Sequence, residues 1–240
     1  MNQPKKIRYK YRIKYSKGPE LRFVSHLDLM RLFQRAVRRA GLPIGYSHGF
    51  NPHQLMSFGN PLSLGMTSIG EYCDFEFETP VEPREIAERL GAVMNDGVEI
   101  ISAARLSQQA KSAMAELCAC EYEAYIDGLV TAEDIAEKLT DFLAQKEISV
   151  MKKTKNHFEK TDIRPDIYSI EDISRDGKPA LKLVLAAGSI RSLRADLTVQ
   201  TLCEYAGAAF DRFKVRYRRT EMYKELDGKL VPLDKEVAEK

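Results

Sequence analysis

Residues 6–15 read Lys-Ile-Arg-Tyr-Lys-Tyr-Arg-Ile-Lys-Tyr, a strict alternation that puts Ile7, Tyr9, Tyr11, Ile13 and Tyr15 on one strand face and cations on the other. Ser25 is placed to cap a helix beginning at His26, along which Leu29, Met30, Phe33, Ala36, Val37 and Ala40 recur at helical spacing until Gly41 and Pro43 stop it. Its outer face is Asp28, Arg31, Arg35, Arg38 and Arg39. A weak strand signal near Leu55–Phe58 and an alternating run at Glu71–Glu78 follow. Pro83 opens a helix carrying Ile86, Leu90 and Val93, and Val98–Ile101 supplies a last strand. The predicted order is β-α-β-β-α-β.

A polar, Ala-rich connector at 107–117 leads into a second cycle. Cys118–Ile126 alternates, Thr131 with Asp134 forms a capping signature for a helix over 132–145, and Ile148–Lys155 and Leu181–Ala186 read as strands separated by a polar segment. Thr198–Phe210 is an amphipathic helix and Lys214–Tyr217 a strand. The expectation is an α+β protein of two tandem ferredoxin-like (β-α-β-β-α-β) domains with antiparallel sheets, residues 5–108 and 118–224, ending in a polar tail, 225–240. In that arrangement helices cover one sheet face and leave the other available.

The chain's 240 residues, 44% of them hydrophobic, provide apolar material for one large core or two ordinary ones. No run approaches the roughly 18 apolar residues of a membrane span, and the start leads into alternation rather than an apolar signal core, so a soluble, cytoplasmic protein is expected. Cys73, Cys118, Cys120 and Cys203 are too scattered for a disulfide framework.

Charge sharpens the picture. The net charge is +2, yet residues 1–60 hold five Lys and seven Arg against Glu20 and Asp28, a local +10, whereas residues 61–108 carry nine acids against three arginines, a local −6. A polyanion is drawn to one end of this chain, and nucleic acid is the partner such clustering points to.

Three of the four histidines fall in Ser25-His26-Leu27-Asp28 and Tyr46-Ser47-His48-Gly49-Phe50-Asn51-Pro52-His53. One reading sets the 46–53 loop beside the start of the first helix, where backbone N–H groups and the helix dipole favour phosphate, with Ser25, Asn51, His53 and Arg31 around it. The other makes Asn51-Pro52 a turn, gives Gly49 a positive φ, and leaves the histidines as loop donors. His26, Asp28, His48 and His53 are competent metal ligands, but their spacing matches no ligand signature, and no metal is expected. His26 and His53 are also candidates for general acid and base in metal-free RNA cleavage. Tyr9, Tyr11, Tyr15, Tyr217 and Tyr223 lie among cations and are candidates both for stacking on bases and for half-buried core. No phosphate-binding Gly-x-x-x-x-Gly-Lys-Ser/Thr loop, dinucleotide fingerprint, nucleophile elbow or His-Glu-x-x-His helix is present.

The run Leu21–Arg31, continuing through Arg38–Pro43 to Tyr46–His53, resembles the radical SAM-linked protein family, a bacterial domain of unknown function. Similarity continues in Ser57-Phe58-Gly59, Pro61–Gly65, Glu71–Asp74 and Arg218–Glu221. The resemblance implies a protein fused to, or encoded beside, a radical S-adenosylmethionine enzyme. The cysteine spacing here lacks the Cys-x-x-x-Cys-x-x-Cys signature of a [4Fe–4S] site, so S-adenosylmethionine and the cluster are expected on the partner and no cofactor on this chain.

These readings combine into an accessory RNA-binding protein that presents tRNA or rRNA to a radical S-adenosylmethionine partner, with phosphates held by Lys10, Arg12, Lys14, Ser25, Arg31, Arg35, Arg38, Asn51 and His53. Two alternatives stand beside it: a metal-independent endoribonuclease resembling CRISPR repeat-processing enzymes, and a protein-interaction scaffold without RNA binding.

Overall fold

The computed structural model describes residues 7–153 and 158–235. In chain order the elements are β1 (Tyr9–Lys17), α1 (His26–Arg39), β2 (Met56–Phe58), β3 (Thr67–Phe77), α2 (Pro83–Gly91), β4 (Ile100–Arg105), α3 (Ala113–Glu116), β5 (Leu117–Ile126), α4 (Ala132–Ala144), β6 (Ser149–Lys153), β7 (Phe158–Asp162), β8 (Ile167–Asp172), β9 (Ala180–Ala186), α5 (Ala195–Tyr205), β10 (Val215–Leu226) and β11 (Lys229–Pro232). The described residues form a mixed α+β structure with five helices and mostly antiparallel strand pairing. No described helix is long and apolar enough to cross a membrane. The chain divides into two compact units, Met1–Leu117 with Met222–Lys240, and Cys118–Glu221.

In the first unit β1 lies between β4 and β3, antiparallel to both, and β2 pairs antiparallel with β3. The alternation of β1 has the expected consequence: Tyr11, Ile13 and Tyr15 join Phe75 and Phe77 of β3 in a core closed by Leu29, Phe33, Ala36 and Val37 of α1 and Ile86 and Leu90 of α2. α1 starts where Ser25 Oγ accepts the Asp28 N–H. It ends on Gly41 at φ +61°, with Gly41 N–H donating to Arg38 O and Leu42 N–H to Val37 O, a termination that favours glycine because a Cβ strains that backbone.

The sheet face opposite the helices, expected to be available, is covered within this unit. Residues 106–116 run across it, and Leu233, 1% exposed, packs at the end of the chain. The first part of the expected polar tail is therefore ordered strand: 225–226 close β10, and β11 pairs back onto Tyr223–Leu226. Residues 236–240 and Lys5 and Lys6 lie outside the described residues.

In the second unit the strand order is β10-β5-β9-β8. α4 begins with the expected capping box between Thr131 and Asp134. The strand expected at 148–155 is present as β6, but it pairs with β7 in a separate two-stranded ladder, and β8, read as part of a polar segment, takes the place beside β9. Residues 154–155 lie outside the described residues. The helix expected over 198–210 spans 195–205, because Gly207 at φ +81° donates to Glu204 O and Ala208 N–H to Cys203 O, closing it early.

Candidate nucleic-acid interface

Lys10, Arg12 and Lys14 alternate with the core residues of β1 and so point to the covered face, away from α1. Arg12 is 1% exposed. Its Nε and Nη2 donate to the two Asp74 carboxylate oxygens at 2.8 and 3.0 Å, Nη1 to Glu116 Oε2 at 2.7 Å and Leu233 O at 2.9 Å, and Nη2 also to Lys111 O at 3.1 Å. Burial opposes its charge, but the bonds to Asp74 and Glu116 outweigh that and raise its pKa further. Lys10 Nζ donates to Gln108 O and Ala110 O, and Lys14 Nζ lies 3.9 Å from Asp234 and 5.4 Å from the Tyr72 ring centroid. These three cations bind the segments that cover the sheet. Arg12 is thus corrected from a phosphate ligand to an interior ion pair, and the β1 cations do not converge with those of α1.

Arg31, Arg35 and Arg38 are all exposed and, at i, i+4 and i+7, fall within about 60° of arc over roughly 10 Å of helix. Arg31 Nη1 contacts Asp28 Oδ1 at 3.0 Å, an exposed pair of small energetic weight. Arg39, by contrast, donates to Val93 O and ties α1 to the chain after α2. Ser25 and Asp28 form a closed cap: Ser25 Oγ also donates to Asp28 Oδ2 at 2.7 Å, and this bond and the one from Arg31 hold the Asp28 carboxyl below its ordinary range. Ser25 is a cap rather than an anion ligand.

The 46–53 loop joins α1 elsewhere than expected. Gln54 Nε2 donates to Gln34 O at 3.3 Å, in the third turn, whereas residues 58–62 lie beside His26 at the helix start. Ser47 and His53 close the neck of the loop: Ser47 N–H donates to His53 O, His53 N–H to Ser47 Oγ, and Oγ lies 2.8 Å from His53 Nδ1. Gly49 has φ +122°, the positive value the sequence suggests, and His48, Phe50, Asn51 and Pro52 stand in solvent.

The histidines do not assemble. His26 lies edge-on to Phe58, ring centroids 5.5 Å apart, beside a void of about 10 Å³ that Lys17, Asn60 and Glu71 also line. That is room for about one water. His53 instead borders a cleft of about 200 Å³ on the covered sheet face, with Lys10, Ser57, Glu76 and Lys111. An acid–base pair needs both groups within reach of one proton path, which this placement denies to His26 and His53. Among the described residues no group of three His, Cys, Asp or Glu side chains is arranged to hold a metal ion.

Of the tyrosines read as either base-stacking or half-buried core, Tyr11, Tyr15 and Tyr217 are buried and Tyr9 and Tyr223 half-buried, which favours the core reading. Among the described residues near α1, the most exposed aromatic rings are Phe23, 70% exposed, and Phe50, wholly exposed. The sequence reading passed over both, because neither belongs to a periodic segment; Phe50 sits in a Gly-Phe-Asn-Pro turn, where an apolar side chain has no core to join.

A bacterial family described as "Uncharacterized protein conserved in bacteria (DUF2344)" matches residues 10–195. No curated protein matches the chain. Among solved structures, an unknown protein from Galdieria sulphuraria is 12% identical, with 92% of this chain and 100% of that one covered and a TM-score of 0.27. A putative glycine cleavage system transcriptional repressor is 13% identical, with 89% and 99% covered and a TM-score of 0.23. Scores this low carry no argument about fold or function.

Proposed function

The chain belongs to the bacterial family DUF2344, and on that premise we propose that it is an accessory RNA-binding protein that presents tRNA or rRNA to a radical S-adenosylmethionine partner. The observation that carries the reading is the exposed stripe Arg31, Arg35 and Arg38, offset by Asp28 alone among the acids of α1. Three guanidiniums on one rigid helix face form a track for phosphates, and their planar forks suit phosphate geometry. The exposed 48–52 turn, which offers neutral polar groups, is followed by Gln54, whose side-chain amide donates to Gln34 O in the middle of α1. The partner enters through the resemblance of Leu21–Arg31 and Tyr46–His53 to the radical SAM-linked proteins, and S-adenosylmethionine and the cluster belong to that partner.

Each unit is further read as a ferredoxin-like module. Supporting this are the order β4-β1-β3 with β2 on β3 in the first unit and β10-β5-β9-β8 in the second, with β6 and β7 as an inserted hairpin.

The test is binding of bulk tRNA and of rRNA fragments at near-physiological salt by the full chain and by Arg31→Glu/Arg35→Glu. Charge reversal is expected to weaken binding at least about tenfold. Unchanged affinity removes the reading.

A further inference from the structure

Two largely exposed phenylalanines lie next to the helix that carries the arginine stripe: Phe23 precedes α1 in the chain, and Phe50 belongs to the loop that ends at Gln54, which bonds to α1. Phe23 lies two residues before the helix cap, with the Arg22 guanidinium 4.9 Å from its ring centroid. Phe50 projects from a turn four residues before Gln54, whose amide donates to Gln34 O of α1, and its neighbours His48, Gly49, Asn51 and Pro52 are likewise exposed. A fully hydrated phenyl ring adds nothing to the core, and a glycine-bearing turn that holds one out is a place for a ligand with a flat apolar face.

We infer that Phe23 and Phe50 are stacking platforms for unpaired nucleotides whose phosphates lie on Arg31, Arg35 and Arg38, so that the ligand of this surface is single-stranded RNA. The inference rests on the RNA-binding reading and narrows it. Charge complementarity selects the occupant: Arg22 beside Phe23 and the helix arginines make the surroundings cationic, as a polyanion requires. Isolation of the ring selects it too. A protein partner seats on a contiguous apolar patch of several hundred Å², whereas Phe50 is ringed by polar or small residues and presents both its faces, the geometry that slides between two bases. Bases in a duplex are already stacked on one another, and prising them apart costs a few kcal/mol per step. Loops and single strands present their faces without that penalty.

The experiment compares a ~12-nucleotide uridine oligomer with a duplex of the same length, using the full chain and its Phe23→Ala, Phe50→Ala, Phe50→Trp and Arg31→Ala/Arg35→Ala/Arg38→Ala variants, across about 50–200 mM salt. Each Phe→Ala change is expected to weaken single-strand binding about 5- to 150-fold, the range for losing one base–aromatic stack, and to leave the salt slope unchanged. Phe50→Trp keeps or improves affinity, because a larger π face stacks at least as well. The arginine triple variant instead flattens the slope. Binding that depends on the arginines but not on either phenylalanine overturns the stacking assignment and leaves the RNA reading standing. A duplex bound as tightly as the oligomer overturns the single-strand assignment. No binding of either RNA by the wild-type chain overturns both and turns the exposed rings into a protein-docking feature.

Discussion

Arg12→Met tests the assignment of β1's cations to the interior. The Arg12 guanidinium has five N–H donors, and the five bonds to Asp74 (two), Glu116, Lys111 O and Leu233 O engage all of them. Replacing it with an apolar chain of similar reach leaves Asp74 in the interior with its charge unpaired, still accepting from Ala113 N–H at 2.6 Å. Breaking one side of such a pair costs about 3–5 kcal/mol. At about 2–4 °C per kcal/mol for a chain of this size, the transition of the first unit falls by roughly 6–20 °C. Calorimetry reads it, and hydrogen exchange locates it, because protection is lost first at residues 111–116 and 233, whose carbonyls and N–H groups the pair holds. Arg12→Met/Asp74→Leu recovers part of the loss, since a buried pair exchanged for apolar groups is often close to neutral, and the coupling falls in the range of about 0.5–3 kcal/mol. A single variant melting within about 2 °C of wild type, or a double variant that is merely additive, refutes the buried network.

Thr131→Ala removes the capping box of α4 and lowers the transition of the second unit by about 2–4 °C near neutral pH. The backbone N–H and then the hydroxyl of Thr131 hold the Asp134 carboxyl below its ordinary 3.8, so the folded state resists protonating it. The cap is intact above that value and is lost as pH falls through the depressed one, and the difference between wild type and variant shrinks in acid melts. Iodoacetamide labelling followed by mass spectrometry separates the thiols: Cys73, with its pKa pushed well up by burial, and Cys203, pushed up to about 11, stay unlabelled in the native chain at mildly alkaline pH, while half-buried Cys118 reacts first. Early labelling of Cys73 contradicts its burial. Structured RNA incubated with the chain and a chelator stays intact, because His26 and His53 border different cavities; chelator-resistant cleavage lost in His26→Ala contradicts that placement.

What the sequence reveals is local. The alternation of β1 settles which side of the strand faces α1, and Ser25, Thr131 and Gly41 mark helix ends because each satisfies groups within a few residues of itself. What covers the far face of β1 is not local: the partners of Arg12 come from Asp74, Lys111, Glu116 and Leu233, up to 221 residues away, and a Lys/Arg run reads as solvated until those segments are in place. β7 (Phe-Glu-Lys-Thr-Asp) is short and polar and β11 (Lys-Leu-Val-Pro) is only four residues long, and each pairs because a neighbouring strand supplies hydrogen bonds. The candidate site follows the same rule. The arginine stripe is visible from helical spacing alone, while the distance between the 46–53 loop and the helix start depends on Gln54 reaching Gln34.

The account turns on whether the outer face of α1 holds phosphates. The direct measurement is the slope of log binding constant against log salt for a single-stranded RNA, in the wild-type chain and in Arg31→Ala/Arg35→Ala/Arg38→Ala. Each phosphate contact contributes about 0.7 to that slope, so loss of three flattens it by about 2. Identical slopes in the two proteins, with or without a change in affinity, contradict the claim.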